Sequence, residues 1–406
     1  MMTHRERMLA TICGEPIDRI PWAPRMDLWY VANRENGELP ERFAGLNMVE
    51  LAKELDVACH AVRADFTNLR SPDHLLLRGF GLDLHNDYPF TIKVAGLPIE
   101  FHHNGENFVT TIKTSAGEIT SHTYLTAEML RNGISLPFIK SYPIENKNDL
   151  EAVAQVFEHL EVIPTPDAYA EFQRRIGDQG VAVAAGLYAA SPMHLILHDL
   201  MNMEQFFNFY YEDPRALYKL TDRMKPFFEA VFDAVMLSDA EVIYWGSNYD
   251  QNITWPPFFR DEIVPWLKKV SKHVHAAGKL LLTHTDGENK ALLPLYPSCE
   301  FDVAESVCPH PMTACTLQEI RESLGSETTV WGGIPSISLL DSSMVEDEFE
   351  KYLDEMFSKL GTGERLILGV SDNVPPEANL SRFEKIKQKI ESFGQVGWGK
   401  TESGKL

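Results

Sequence analysis

Gly278–Gly287 reads GKLLLTHTDG, and this stretch decides the fold. Leu280–Thr283 have the pattern of a short buried strand, and His284, Thr285, Asp286 and a turn glycine follow at once. Along an extended chain, alternation sends His284 and Asp286 to the same side. A helix is predicted to begin at Glu288. A strand that ends in an imidazole and a carboxylate just before a loop is where parallel α/β enzymes place their chemistry. A purely structural reading, in which His284 caps the strand and Asp286 the next helix, fits these residues equally well.

Outward from this stretch the same unit recurs. Upstream, the strand Val242–Trp245 leads into GSNYDQ (Gly246–Gln251), which offers Asn248, Tyr249, Asp250 and Gln251, and a helix over about 257–277 returns the chain. Downstream come the strand Phe301–Ala304 with Glu305 at its end, the strand Thr329–Trp331 and the strand Leu366–Gly369, with helices predicted over 316–324, 345–360 and from Leu380. Nearer the N-terminus, Ile20–Ala23 reads as a strand followed by Arg25 and Asp27. Val57–Val62 reads as a second, ending in Arg63 and Asp65, and Val181–Ala185 as another, with Tyr188 at its exit. His194 and His198 share one helix face at metal-helix spacing, but no Glu follows His194 directly, so they read as a packed or surface pair.

About eight strands, most followed by a helix, predict an α/β protein of the (β/α)8 TIM-barrel class. An open doubly wound sheet would call for a GxGxxG or P-loop after an early strand, and the sequence contains neither. Residues 88–125 break the pattern. They alternate with period two around Asn104-Gly105 and Ala116-Gly117, which predicts an antiparallel β insertion after the second strand, within a single domain spanning 1–406. Within it, His102 and His103 face opposite ways and read as surface histidines.

Composition narrows the function. The 406 residues are 44% hydrophobic and 24% charged, as in an ordinary globular protein with a full core. A formal charge of −22 argues against non-specific binding to nucleic acid or an anionic membrane. No apolar run approaches the ~20 residues of a membrane span, and the start lacks a signal-peptide core. The five scattered cysteines read as reduced thiols. The expected location is the cytoplasm.

In a barrel, the polar residues at the strand exits share one mouth. Arg25, Asp27, Asp65, Tyr188, Asn248, Asp250, His284, Asp286, Glu305, Cys308 and Asp372 are the candidates. His284 with Asp286 and Asp372 would suit zinc, iron or manganese, with Cys308 as a substitute ligand. The same groups could equally form an acid–base cluster without metal. Cys308, His310 and Cys315 form a second ligand set, whose spacing fits no standard zinc knuckle.

Several segments resemble the uroporphyrinogen decarboxylase superfamily. They are RERMLATICGEPIDRIPWAP (5–24), HVHAAGKLLLTHTDGENKALLPLY (273–296), FDVAESV (301–307), WGGIPS (331–336) and LILGVSDNVPPEANLSRFEKI (366–386). The resemblance implies a (β/α)8 barrel with its site at the C-terminal mouth. The decarboxylases carry an arginine-rich RQAGR-like motif for the substrate's many carboxylates. PRMDLWY (24–30) keeps one arginine and adds an acid, so much of that charge would go unpaired. The cobamide-dependent methyltransferases of the superfamily hold zinc through His-x-Cys and a later Cys, where this chain has His284-Thr285-Asp286 and Asp372. Carboxylates in place of thiolates suit an oxygen donor better than a thiol.

The expected function is therefore methyl transfer between a small methylated substrate, such as a methoxy ether, and a separate corinoid protein. Zinc or another divalent metal is expected at His284, Asp286 and Asp372, with cobalamin carried by the partner. His284, Asp286, Asp372, Asp65 and Arg25 are the catalytic candidates, and Asp27, Tyr188, Asn248, Asp250 and Glu305 the substrate-binding ones. Expected partners are the small-molecule methyl donor or acceptor and the corinoid protein, and a homodimer is compatible with the sequence. The alternatives are a carboxy-lyase using Asp65 with Arg25, and a non-catalytic binding barrel.

Overall fold

The computed structural model describes residues 2–63 and 71–397. Strands β1 (Phe90–Val94), β2 (Ile99–His103), β3 (Asn107–Thr114), β4 (Gly117–Tyr124), β5 (Phe138–Ser141) and β6 (Leu160–Pro164) precede β7 (Ala184–Ala185) and β8 (Val242–Ser247). They are followed by β9 (Leu280–His284), β10 (Val303–Val307), β11 (Thr329–Pro335) and β12 (Leu366–Ser371). The last six form one parallel sheet in sequence order, β7 to β12. Every residue of β8, β10, β11 and β12 is buried, which is why these strands read as apolar runs and not as alternating ones.

Two of the predicted strands are irregular. Residues 20–23 and 57–62 are extended and joined to their neighbours by isolated parallel bridges, Trp22 to Leu368 and Cys59 to Gly180. Ala23 N–H donates to Leu368 O (2.8 Å), Ala58 N–H to Trp22 O (2.8 Å) and Val183 N–H to Ala61 O (3.0 Å). The two segments thus stand in order between β12 and β7. Side chains from all eight segments (Ala23, Ala58, Val183, Tyr244, Leu282, Val303, Trp331 and Ile367 among them) form one buried cluster with Met8 and Ile12. Met8 and Ile12 come from the helix His4–Cys13, which a Thr3–Glu6 capping box starts and left-handed Gly14 ends.

The antiparallel insertion is present but divided. β2 to β5 make a four-stranded sheet, while β1 leaves the hairpin to pair with β6. The helix Asp149–Glu158 gives way to β6, where the β-branched Val162 and Ile163 favour the extended chain. The helix predicted to begin at Glu288 is instead a 3₁₀ stretch, Leu293–Cys299, with Pro294 and Pro297 inside it. His102 and His103 are exposed, as predicted. No helix among the described residues is long and apolar enough to cross a membrane.

Candidate active site

The site is assembled from the C-terminal ends of neighbouring parallel strands. His284 ends β9 and stands in register with Glu305 on β10. That pairing brings His284 Nδ1 to 2.5 Å from Glu305 Oε2. His60, from the 57–62 segment, reaches the other oxygen, with Nε2 2.9 Å from Glu305 Oε1. Both oxygens of a buried carboxylate are therefore engaged by imidazoles. With Nδ1–H donated to Glu305, His284 presents Nε2 to the mouth, 3.8 Å from Asp372 Oδ1.

Asp372 follows β12, and Arg25 follows the segment hydrogen-bonded to it. Arg25 Nη1 donates to Asp372 Oδ2 (3.0 Å), while its Nε and Nη2 form a fork with Asp27 (2.8 and 3.1 Å). Ser306 Oγ donates to Asp372 Oδ1 (3.2 Å) from a bulge in β10, where Ser306 has φ of 62°. The bulge lies tight against Gly332, where a Cβ would sit 2.6 Å from Val307 O and 2.7 Å from Val307 N, at a φ of +142°. Only glycine fits there.

The electrostatics separate the acids. Burial alone would raise Glu305, but the charge and hydrogen bond of His284, then those of His60, hold it down at about 2. Burial alone would lower His284; Glu305, then Asp372, outweigh this and raise it. Asp372 is likewise held well below the ordinary carboxylate range, since Arg25, His284 and Arg63 overcome its burial. Asp286 moves the other way: burial and the charge of Asp372 both raise it. Two neighbouring carboxyls pushed apart in this way suit an acid and a base.

Among the described residues, the group whose ligand atoms lie within 4.8 Å of one another is His284, Glu305 and Asp372. Asp286 is not in that group, although the sequence reading places it there. The donors nonetheless fit a divalent ion. His284 Nε2 and Asp372 Oδ1 are two nitrogen and oxygen ligands a few ångströms apart, and Glu305 orients the imidazole from behind. Cys308 is buried, and its thiol is pushed up to about 12 by burial, then by Asp286 and Asp372, which keeps it protonated.

Other predicted residues play different parts. The Asp250 carboxylate accepts the backbone N–H groups of Glu288 (2.9 Å) and Asn252 (2.8 Å), fixing the loop. Asp27 is occupied by Arg25. Asn248 donates its backbone N–H to His284 O (3.1 Å) and so braces the site through the main chain. The Tyr188 hydroxyl donates to Asp83 (2.7 Å). Asp65 lies outside the described residues. His194 is buried and its Nδ1 accepts the Ala190 N–H (3.1 Å), whereas His198 is exposed and places Nδ1 3.0 Å from Asp199 Oδ2. His60, Ser306 and Arg63 are absent from the sequence-based site; the exit of the 57–62 strand was the signal that could have found His60 and Arg63.

The profile of the uroporphyrinogen decarboxylase (URO-D) family matches residues 126–392. That span contains His284, Asp286, Glu305 and Asp372, whereas Arg25, His60 and Arg63 precede it. A search among curated proteins finds no match. Among solved structures, a methyltransferase from Methanosarcina mazei is similar, with 13% identity and a TM-score of 0.51 over 97% of this chain and 99% of that one. At that identity the likeness speaks to the fold.

Proposed function

The chain belongs to the uroporphyrinogen decarboxylase family, and on that premise we propose that it is a methyltransferase. It moves a methyl group between a small, methoxylated substrate and a separate corinoid protein, at the open end of a (β/α)8 barrel. The bonds that seat residues 20–23 and 57–62 between β12 and β7, and the interior cluster fed by all eight segments, support the barrel. The observation that carries the function is the approach of His284 Nε2 to Asp372 Oδ1, 3.8 Å apart over the strand ends. The similar Methanosarcina mazei fold, described as a methyltransferase, is in keeping with this reading.

The residues divide the work. A methyl–oxygen bond is a poor electrophile, so the departing oxygen needs a proton or a positive charge. Asp286, whose carboxyl is raised by burial and by Asp372, is the group assigned to donate a proton to that oxygen. Asp372, kept ionised by Arg25, accepts hydrogen bonds from the bound substrate and keeps His284 charged or oriented. Zinc or another divalent ion would be held by His284 and Asp372, with Glu305 orienting the imidazole, and would supply Lewis acidity to the same oxygen. Cobalamin would arrive on its own carrier protein.

Decarboxylation of a polycarboxylate is disfavoured by the state of Arg25. Its guanidinium is already bound by Asp27 and Asp372, and is not available to a string of acetates and propionates. The test is methyl transfer from a panel of methoxylated compounds to a reduced corinoid protein, followed by the cobalamin spectrum. His284→Ala and Asp372→Asn should each slow transfer by about 10²-fold or more, the usual worth of a positioned acid–base group. Conversion of uroporphyrinogen to coproporphyrinogen without a corinoid protein would overturn the assignment.

A further inference from the structure

We propose that the mouth holds a carboxylate-binding subsite centred on Arg63, so that the substrate is a small molecule bearing one carboxylate. This deepens the methyltransferase reading by naming the substrate class, and it rests on geometry that the reading does not use. Arg63 directly follows the 57–62 segment and so stands at the same end of the sheet as His284 and Asp372. Its guanidinium lies 4.1 Å from the centre of the Tyr188 ring and 5.7 Å from that of Tyr244. It donates one hydrogen bond, from Nη2 to the Tyr244 hydroxyl (3.1 Å).

The contrast with Arg25 is the main argument. Arg25 is saturated by Asp27 and Asp372, but among the described residues no carboxylate makes an ion pair with Arg63. A guanidinium has five N–H donors and stays charged, so one phenol leaves most of its hydrogen-bonding capacity unused. Burial opposes the charge, yet the surrounding tyrosines and the more distant Asp372 keep Arg63 cationic. A cation in that state is completed by a bidentate anion.

The cation is also held in place. The Tyr188 ring beneath it is fixed at its hydroxyl, which donates to Asp83 (2.7 Å) and meets the Tyr88 hydroxyl (2.8 Å). Ser247 Oγ donates to Tyr188 O (3.0 Å) and fixes the backbone of the same residue. The described residues border a cavity of about 790 Å³ lined by Arg25, Arg63, His60 and Arg175, within the size range of small-molecule sites. Of the acids among its described lining, Asp27 is paired with Arg25, Asp87 with Arg175 (2.6 Å), and Glu50 accepts the Asn47 N–H (2.9 Å) in a helix cap, so none of them neutralises Arg63. Lys53 also borders the cavity but is exposed, so the buried guanidinium of Arg63 is the cation that matches one carboxylate; a polycarboxylate would leave charges unpaired.

Equilibrium binding by calorimetry tests this without methyl transfer. The probes are matched pairs: propionate and propionamide, benzoate and benzamide, 4-methoxybenzoate and 4-methoxybenzamide. The wild-type protein should prefer the carboxylate of at least one pair by about tenfold or more, the scale of a charge-assisted hydrogen bond. Arg63→Gln should abolish the preference while leaving carboxamide binding and the far-UV circular dichroism unchanged. Should Arg63→Gln fail to fold, Arg63→Lys decides, because it keeps a point charge but loses the fork and the stacking. A reduced preference supports the subsite, and an unchanged one overturns it. Equal affinity within every pair, no carboxylate binding at all, or a preference that survives in Arg63→Gln would each overturn the proposal. Methyl transfer can fail while the preference holds, and the reverse, so the two readings are tested apart.

Discussion

Glu305→Gln is the most informative single change, because it keeps the shape of a buried side chain and removes its charge. Glu305 sits between two imidazoles, with its carboxyl held at about 2 where 4.5 is ordinary. A depressed carboxylate contributes stability that is present above its unfolded value and lost as pH falls through its folded one. The fall from 4.5 to about 2, at about 1.4 kcal/mol per pH unit, corresponds to about 3 kcal/mol at neutral pH. Breaking a buried ion pair typically costs about 3–5 kcal/mol, so both routes give the same scale. The partner responds with opposite sign. His284 is raised above 6.5, so its share of stability is present below 6.5 and fades as pH rises through its folded value. Without Glu305 the burial of His284 prevails, and the imidazole becomes neutral at pH 7. Denaturant melts and the NMR titration of the His284 ring, both in chelator-treated protein, measure the two effects. A loss under about 1 kcal/mol, or an unshifted His284 titration, would refute the account of the pair.

Asp372→Asn should reduce turnover far more than it reduces thermal stability, since its side chain is 23% exposed and lies past the end of β12; a large fall in melting temperature with intact turnover would contradict this. Arg25→Gln should cost about 3–5 kcal/mol, because it strands the buried Asp27, and the double variant with Asp27→Asn should recover part of that loss in the same melts. Gly332→Ala should displace the β10 bulge and release Ser306 from Asp372, lowering activity and stability together; an active, equally stable variant would show that the bulge yields easily. Elemental analysis of untagged protein should find about one divalent ion per chain, and His284→Ala with Asp372→Asn should remove it.

The strands and most helices were legible because a buried parallel strand writes itself as an apolar run and its helix as a 3.6-residue stripe. His284 and Asp372 were legible too, as polar residues just past such runs. Asp286 falls outside the cluster of converging ligand atoms for a definite reason. The strand ends at His284, so the two-residue alternation that predicts a shared face does not extend to Asp286. Glu305 takes the position next to His284 instead, through a register between β9 and β10 that no single strand encodes. Asp250 was claimed by a turn backbone, a demand that loop sequences carry without announcing it. The pairing of β1 with β6 was hidden by some 65 residues of intervening chain.

Glu305 joins an imidazole from the family-matched span to one from the first 63 residues, and that split has an evolutionary corollary. The N-terminal portion supplies Arg25, His60 and Arg63, while the later portion supplies His284, Asp286 and Asp372. If the proposed roles hold, selection could rewrite the groups assigned to ligand choice while leaving those assigned to the reaction untouched. A chimaera exchanging the chain ahead of residue 126 between two relatives is then a route to new selectivity, provided the histidine opposite Glu305 travels with it.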